Sequence, residues 1–245
     1  MKKCPATAVV FLLLAAPGWS GTGATLRAQH LPPQFEAVYE VRKGDLLIGK
    51  MQLSLRKEGD KLVYKSRAFP VGIAAAVMGN QEKTYRALLE KTKDHYRTVE
   101  FKHEVSGSDK GYSEHYTFDW NSHTAHVRYK DRNSTLNIPP HTFDSFSVQL
   151  LLMREPDSEV TSYTYPVISK GRLKDYEYKL ELDQPIQTKL GNVTAHRFVR
   201  EKNDKKRTRY TGWYSQSLYY IPVRSEKSRN GKIEYSAQIT EVTWL

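Results

Sequence analysis

Apolar residues alternate with polar ones along most of this chain, and a period of two predicts β-strands. Phe35, Ala37, Tyr39 and Val41 alternate with charged or polar positions, and after a Lys43-Gly44-Asp45 turn the pattern resumes from Leu47 to Leu55. Leu62 to Ser66 gives a third strand. Further on, Arg97, Val99, Phe101, His103 and Val105 share one face of a strand, and Tyr112, Glu114, Tyr116, Phe118 and Trp120 share one face of its neighbour. Matching the two apolar faces sets Val105 opposite Tyr112, Phe101 opposite Tyr116, Val99 opposite Phe118 and His103 opposite Glu114, with Arg97 beside Trp120. His115 then points to the other face, which rules out a His103/His115 metal pair across this hairpin.

Ala125, Val127 and Tyr129 continue the sheet, and the second half reads as hairpins. Tyr163 to Val167 turns at Lys170-Gly171 into Leu173 to Leu182; Ile186 to Leu190 turns at Gly191-Asn192 into Val193 to Arg200; Leu218 to Ser225 turns at Asn230-Gly231 into Ile233 to Val242. Two stretches break the alternation. Pro70-Val71-Gly72 leads into Ile73 to Met78, closed by Gly79-Asn80, which reads as a short helix or a loop over a barrel mouth. After Pro139-Pro140, Phe143, Phe146, Leu150 and Met153 recur at helical spacing, with Thr142 as N-cap and Pro156 as exit, and predict the main helix over residues 144–154. Val148, Leu151 and Leu152 make its other side apolar too, so this helix is expected to be buried. Roughly a dozen strands and one main α-helix predict an all-β, mostly antiparallel fold, a curved closed or half-closed β-barrel.

The first residues follow another rule. Lys2 and Lys3, the apolar run Val9 to Ala16, and then Pro17, Gly18, Ser20 and Ala24 have the layout of a secretory signal peptide. The expected organisation is a signal peptide over 1–24, a linker over 25–34 and a single β-rich domain over 35–245. The apolar run is too short to span a bilayer, no lipid-modified cysteine follows it, and no later stretch has transmembrane length. The expected location is the periplasm. The only cysteine, Cys4, lies in the segment to be removed, which leaves no disulfide and no thiolate metal site.

The formal charge is +11, and +9 remains without Lys2 and Lys3. A basic exported domain is attracted to anionic partners: lipid headgroups, an anionic membrane surface, glycolipid or acidic glycan. Nucleic acid is not expected outside the cytoplasm.

The chain offers little for catalysis. It has no Gly-x-Ser-x-Gly elbow and no thiol, and Asp144 with Thr142 suits a helix start better than a triad with His141 and Ser145. His123 and His126 have the wrong spacing for a zinc site on one strand face. No catalytic residue, metal ligand or cofactor is expected. What stands out is a dense basic stretch from Arg197 to Arg209, and sixteen tyrosines, many of them in the C-terminal half. Amphipathic aromatics suit a ligand cavity with a few polar handles.

The order of several short motifs resembles a bacterial exported family catalogued as domain of unknown function 3108. They are Phe35-x-Ala37-x-Tyr39 with Gly49, Asp144-x-x-Ser147-x-Gln149-Leu150, Thr188 with Gly191, and Trp213 followed by Leu218 and Pro222-Val223. The resemblance covers about residues 35–242 and implies export and a β-rich fold. It carries no activity, so it transfers no site residue.

The leading expectation is a non-enzymatic periplasmic protein that binds or carries an apolar or amphipathic envelope ligand, a lipid or glycolipid. Ile73, Val77 and Met78 are the expected gate; Phe146, Leu150, Tyr178 and Trp213 the cavity lining; Arg207 and Arg209 the headgroup contacts. The alternatives are a glycan- or envelope-protein-binding module acting through a basic aromatic surface, and an enzyme on envelope polymers.

Overall fold

Alternation of period two becomes one curved antiparallel sheet. The structure, a computed structural model, describes residues 26–27, 31–79, 81–93, 95–107 and 112–245. The predicted signal peptide lies outside the described residues. The first half runs through β1 (Leu26–Arg27), β2 (Phe35–Lys43), β3 (Leu46–Glu58), β4 (Lys61–Pro70), α1 (Ile73–Met78), β5 (Glu82–Lys91), β6 (His95–Ser106), β7 (Tyr112–Asp119), β8 (Thr124–Tyr129) and β9 (Arg132–Asn137). The second adds β10 (Phe143–Asp144), β11 (Ser162–Ser169), β12 (Arg172–Thr188), β13 (Gly191–Glu201), β14 (Arg209–Ser215), β15 (Pro222–Arg229) and β16 (Lys232–Trp244).

The strand order is β10 to β16, then β2 to β9, so nearly all neighbours in the sheet are neighbours in sequence. One ladder joins the halves: β16 pairs with β2, with Trp244 opposite Phe35 and Ala237 opposite Val41. β1 pairs off this path with β6, and Leu26, in the predicted linker, packs into the core. Among the described residues no ladder joins β9 to β10, so the barrel is half open. The turn between β11 and β12 bridges part of the gap. The Lys170 N–H donates to Glu114 Oε2 at 3.3 Å, and the Gly171 N–H donates to the Tyr116 hydroxyl at 3.2 Å. That hydroxyl donates in turn to Glu114.

The expected hairpin register is observed where the ladder runs: Val105 faces Tyr112, His103 faces Glu114 and Phe101 faces Tyr116. His115 points to the other face and meets Glu100 at 3.0 Å. One part of the reading is corrected. The ladder with β5 slips at Val99, so Tyr96 and Thr98 are the buried residues before the slip and Phe101 and His103 after it. An extra residue in one strand swaps the faces of everything beyond it. Arg97 still reaches Trp120, lying 5.7 Å from its ring centroid, by a cation–π contact.

Three further corrections concern local structure. The predicted main helix is a short 3-10 turn over Ser147–Leu151, because Phe143 and Asp144 are used as a strand parallel to β11. Among the described residues the α-helix is α1. Thr142 does not cap: its hydroxyl donates to the Pro139 carbonyl at 2.7 Å. The free N–H groups of Phe146 and Ser147 are taken up by Asp144 Oδ1, at 2.8 and 2.9 Å. Finally, the strands expected over 173–182 and 186–190 are one strand, β12, with a bulge between Glu181 and Gln184 that accommodates Pro185. Its hairpin turns at Lys189-Leu190, with Thr188 opposite Gly191.

The segment from Phe143 to Met153 fills the inside of the curved sheet. Val148, Leu150 and Met153 are fully buried, and Phe146 stacks on Tyr64 with ring centroids 4.2 Å apart. Among the polar atoms carried inward, Ser147 Oγ meets Thr98 Oγ1 at 2.9 Å, and the Tyr39 hydroxyl donates to the Pro222 carbonyl at 2.7 Å. Burial holds Tyr39 and Tyr64 well above the ordinary tyrosine range, so both stay neutral.

Candidate ligand-binding rim

In an antiparallel sheet of consecutive hairpins, every second connection lies at the same end. Here one rim collects the turns β2–β3, β4–β5, β8–β9, β11–β12, β13–β14 and β15–β16. The β4–β5 connection is α1. It packs on β3 and β4 and leaves Ile73 75% and Val77 81% exposed. Met78 completes the helix, and its side chain lies outside the described residues. Leu46, also exposed, begins β3 at the same rim.

The other turns of this rim are basic. Residues 202–208 connect β13 to β14, with Lys205 and Arg207 exposed, and Arg207 sits in the left-handed region at φ 45°. The Asn230 N–H donates to the Lys206 carbonyl at 2.9 Å, which ties this turn to the β15–β16 turn. The carboxylates near it are already engaged. Asp204 accepts the Thr208 N–H at 3.0 Å and pairs with Lys202 at 3.0 Å, and these contacts hold it well below the usual carboxylate range. Glu234 pairs with Lys227 at 2.7 Å and Arg229 at 2.8 Å. Among the described residues, Lys205 and Arg207 have no carboxylate within ion-pair distance. Arg209 is different: its guanidinium donates twice to Glu201 Oε1, at 2.6 and 3.1 Å, so its charge is largely spent inside the protein.

The residues expected to bind ligand therefore fall into three groups. Ile73, Val77, Arg207 and Arg209 share the rim. Phe146 and Leu150 are the filling of the barrel, and Tyr178 is buried on the same core-facing side. Trp213 is half-buried and packs against the edge of the core. Its neighbour Tyr214 packs inward, edge-on to Phe198, so Trp213 points to the outer face, between Arg197 at 5.6 Å and Arg224 at 5.7 Å.

One residue stands out that the sequence did not single out. Arg200 lies two positions beyond the buried Phe198 on β13 and so shares its core-facing side. Its guanidinium is 4.0 Å from the Tyr176 ring centroid and 4.3 Å from that of Tyr210. The signal for it was in the strand spacing: Tyr210 is the ladder partner of Arg200, and Tyr176 and Tyr178 share one face of the strand on the other side.

Two hollows mark the opposite rim. One, of about 530 Å³, lies beside Tyr219 and Tyr220 and holds both Arg154 and Glu155. The other, of about 150 Å³, lies beside His95 and His141. Its Arg97 is already paired with Glu90 at 2.6 Å. Neither gathers unpaired charge of one sign as the basic rim does.

The family model described as "Protein of unknown function (DUF3108)" matches residues 35–238. No curated protein matches the chain. Among solved structures, the chain is similar to "a putative lipoprotein from Parabacteroides distasonis", at 9% identity and a TM-score of 0.37, over 87% of this chain and 97% of that one. It is also similar to "a putative exported protein with YmcC-like fold" from Bacteroides fragilis, at 10% identity and a TM-score of 0.35, over 87% of this chain and 98% of that one. No helix among the described residues is long and apolar enough to cross a membrane.

Proposed function

The chain belongs to the DUF3108 family, and on that premise we propose that it is a periplasmic, non-enzymatic protein whose basic rim binds an anionic amphiphile of the cell envelope. The observation that carries this reading is the sharing of one rim by an apolar helix and unpaired basic turns. Ile73 and Val77 on α1 offer apolar surface to acyl chains, and Lys205 and Arg207 offer charge to headgroups. Basic residues near an anionic lipid surface contribute about 1 kcal/mol each, and insertion of apolar side chains adds to this. The packed interior favours contact at the rim over enclosure of a whole lipid in the barrel.

Sedimentation of the protein with phosphatidylglycerol vesicles, and with phosphatidylcholine vesicles as control, tests this. Binding to the anionic vesicles should weaken as salt is raised, because exposed charges are screened. It should fall about tenfold in the double variant Ile73→Asp, Val77→Asp, which places charge where apolar contact is needed. Failure to bind anionic vesicles at low salt would end the proposal.

A second reading has one observation in its favour. Trp213 on the outer face, flanked by Arg197 and Arg224, suits stacking on an acidic sugar. Binding to soluble acidic glycan that is lost with Trp213→Ala and kept with the α1 variant would select it.

A further inference from the structure

The core-facing side of β12, β13 and β14 carries, toward the basic rim, a cluster that continues from the packed core out to the rim. Lys174, Tyr176 and Tyr178 have the same parity on β12 and face one side. Arg200 lies on the next strand, β13, and Tyr210 on β14, so the Tyr176 and Tyr210 rings stand on either side of the guanidinium, at 4.0 and 4.3 Å. The Arg200 charge also acts on the Tyr178 hydroxyl, pulling its pKa down against the rise that burial imposes. Among the described residues, neither Arg200 nor Lys174 has a carboxylate within ion-pair distance. Partial desolvation lowers Lys174 below the ordinary lysine range, and the charges of Lys170, Lys202, Arg172 and Arg200 push it further the same way.

An arginine flanked by rings is held in place while its N–H edge stays available to a planar or tetrahedral oxyanion. Several cations gathered at this end of the sheet repel one another, and Lys202 is the one that already has a carboxylate partner, Asp204. A group of double negative charge would relieve that repulsion better than a single carboxylate. We propose that Arg200, held between the Tyr176 and Tyr210 rings, binds a phosphate group with Lys174 on the same face of the sheet, and that this cluster is the headgroup subsite of the amphiphile-binding rim. The proposal rests on the rim reading for its lipid source, and on the ring-flanked Arg200 guanidinium for the phosphate.

Isothermal titration calorimetry with three soluble probes tests it: inorganic phosphate, dihexanoylphosphatidic acid and dihexanoylphosphatidylcholine. The phosphatidic acid should bind, with the choline lipid at least about tenfold weaker, because its phosphodiester carries a single negative charge that the choline cation offsets, whereas the phosphomonoester can carry two. Arg200→Gln should lose about tenfold and Arg200→Lys less, because lysine keeps the charge without the fork. Lys174→Gln, at an exposed position, should also weaken binding, and it serves as the test if Arg200→Gln does not give the wild-type melting profile. Inorganic phosphate binding as tightly as phosphatidic acid would keep the subsite and remove the lipid from it. Phosphatidic acid binding unchanged in the Arg200 and Lys174 variants would overturn the subsite and leave the rim reading standing. No binding by any probe would overturn the subsite, and vesicle sedimentation would then decide the rim on its own.

Discussion

Asp144 holds Ser147 at two points: Oδ1 accepts the Ser147 N–H at 2.9 Å, and Oδ2 accepts the Ser147 hydroxyl. The pair sits fully buried at the start of the segment that fills the barrel. Burial raises the Asp144 carboxyl above the ordinary aspartate range, and the hydrogen bonds from Ser147 and Phe146 oppose this without cancelling it. A carboxyl raised on folding contributes its full stability below the unfolded value, about 3.9, and loses it as pH rises through the folded value. Asp144→Asn removes that titration and keeps an oxygen for the two N–H groups. The variant should therefore gain stability relative to the wild type as pH rises from about 4 to about 7. Urea midpoints at the two pH values check this; a constant difference would count against it. Asp144→Ala should cost about 2–4 kcal/mol, since it strands buried donors.

Phe146 is the ring that fixes the filling segment to the sheet. It stacks on Tyr64 at 4.2 Å and lies 5.6 Å from Tyr85. Phe146→Ala should destabilise the fold by about 3–5 kcal/mol, through lost burial and the cavity left behind. Thermal melting measures it, and a loss below about 1 kcal/mol would mean that the barrel interior is looser than described.

Gly49 is needed for lack of space. A Cβ there would stand 2.7 Å from the Phe69 carbonyl oxygen, and that backbone is held by the β3–β4 ladder. Gly49→Ala should cost about 1–3 kcal/mol in a urea titration. An unchanged midpoint would show that the two strands can part at no cost.

Glu201 consumes the charge of Arg209 at the rim. Glu201→Gln should free it and raise affinity for anionic vesicles by about fivefold, the worth of one basic residue near such a surface. Arg209→Ala in the otherwise unchanged protein should alter binding much less. The reverse order would place Arg209, rather than Arg207, at the membrane.

Local alternation carried most of the fold. The pairing of His103 with Glu114 and of Phe101 with Tyr116 followed once Val105 was set opposite Tyr112, because parity then fixes which residues share the core-facing side. The bulge at Val99 was hidden, since an extra residue leaves composition and alternation on each side intact. The helix expected after Pro140 failed for a related reason. Residues apolar on every side are equally suited to any buried conformation, so spacing could not distinguish a helix from a strand followed by a 3-10 turn. At the rim, α1 and Arg207 were legible as unusual segments, and topology supplied what the sequence lacked by carrying them to one end of the sheet. Arg200 was lost among its basic neighbours, because its distinction lies in two tyrosines on adjacent strands.

The ladder between β16 and β2 also sets an order of assembly. Trp244 is opposite Phe35, and the Thr240 hydroxyl donates to the Val38 carbonyl, 202 positions earlier, at 3.1 Å. Each half is a run of adjacent hairpins that can form from neighbouring segments, whereas this one seam must close a loop of nearly the whole domain, the slowest kind of contact to make. A chain that emerges N-terminus first can zip β2 to β9 early, yet its two halves stay apart until the last strand is released. Until then β2 presents an unpaired edge, and whatever holds that edge or withholds β16 controls when the protein reaches its final form.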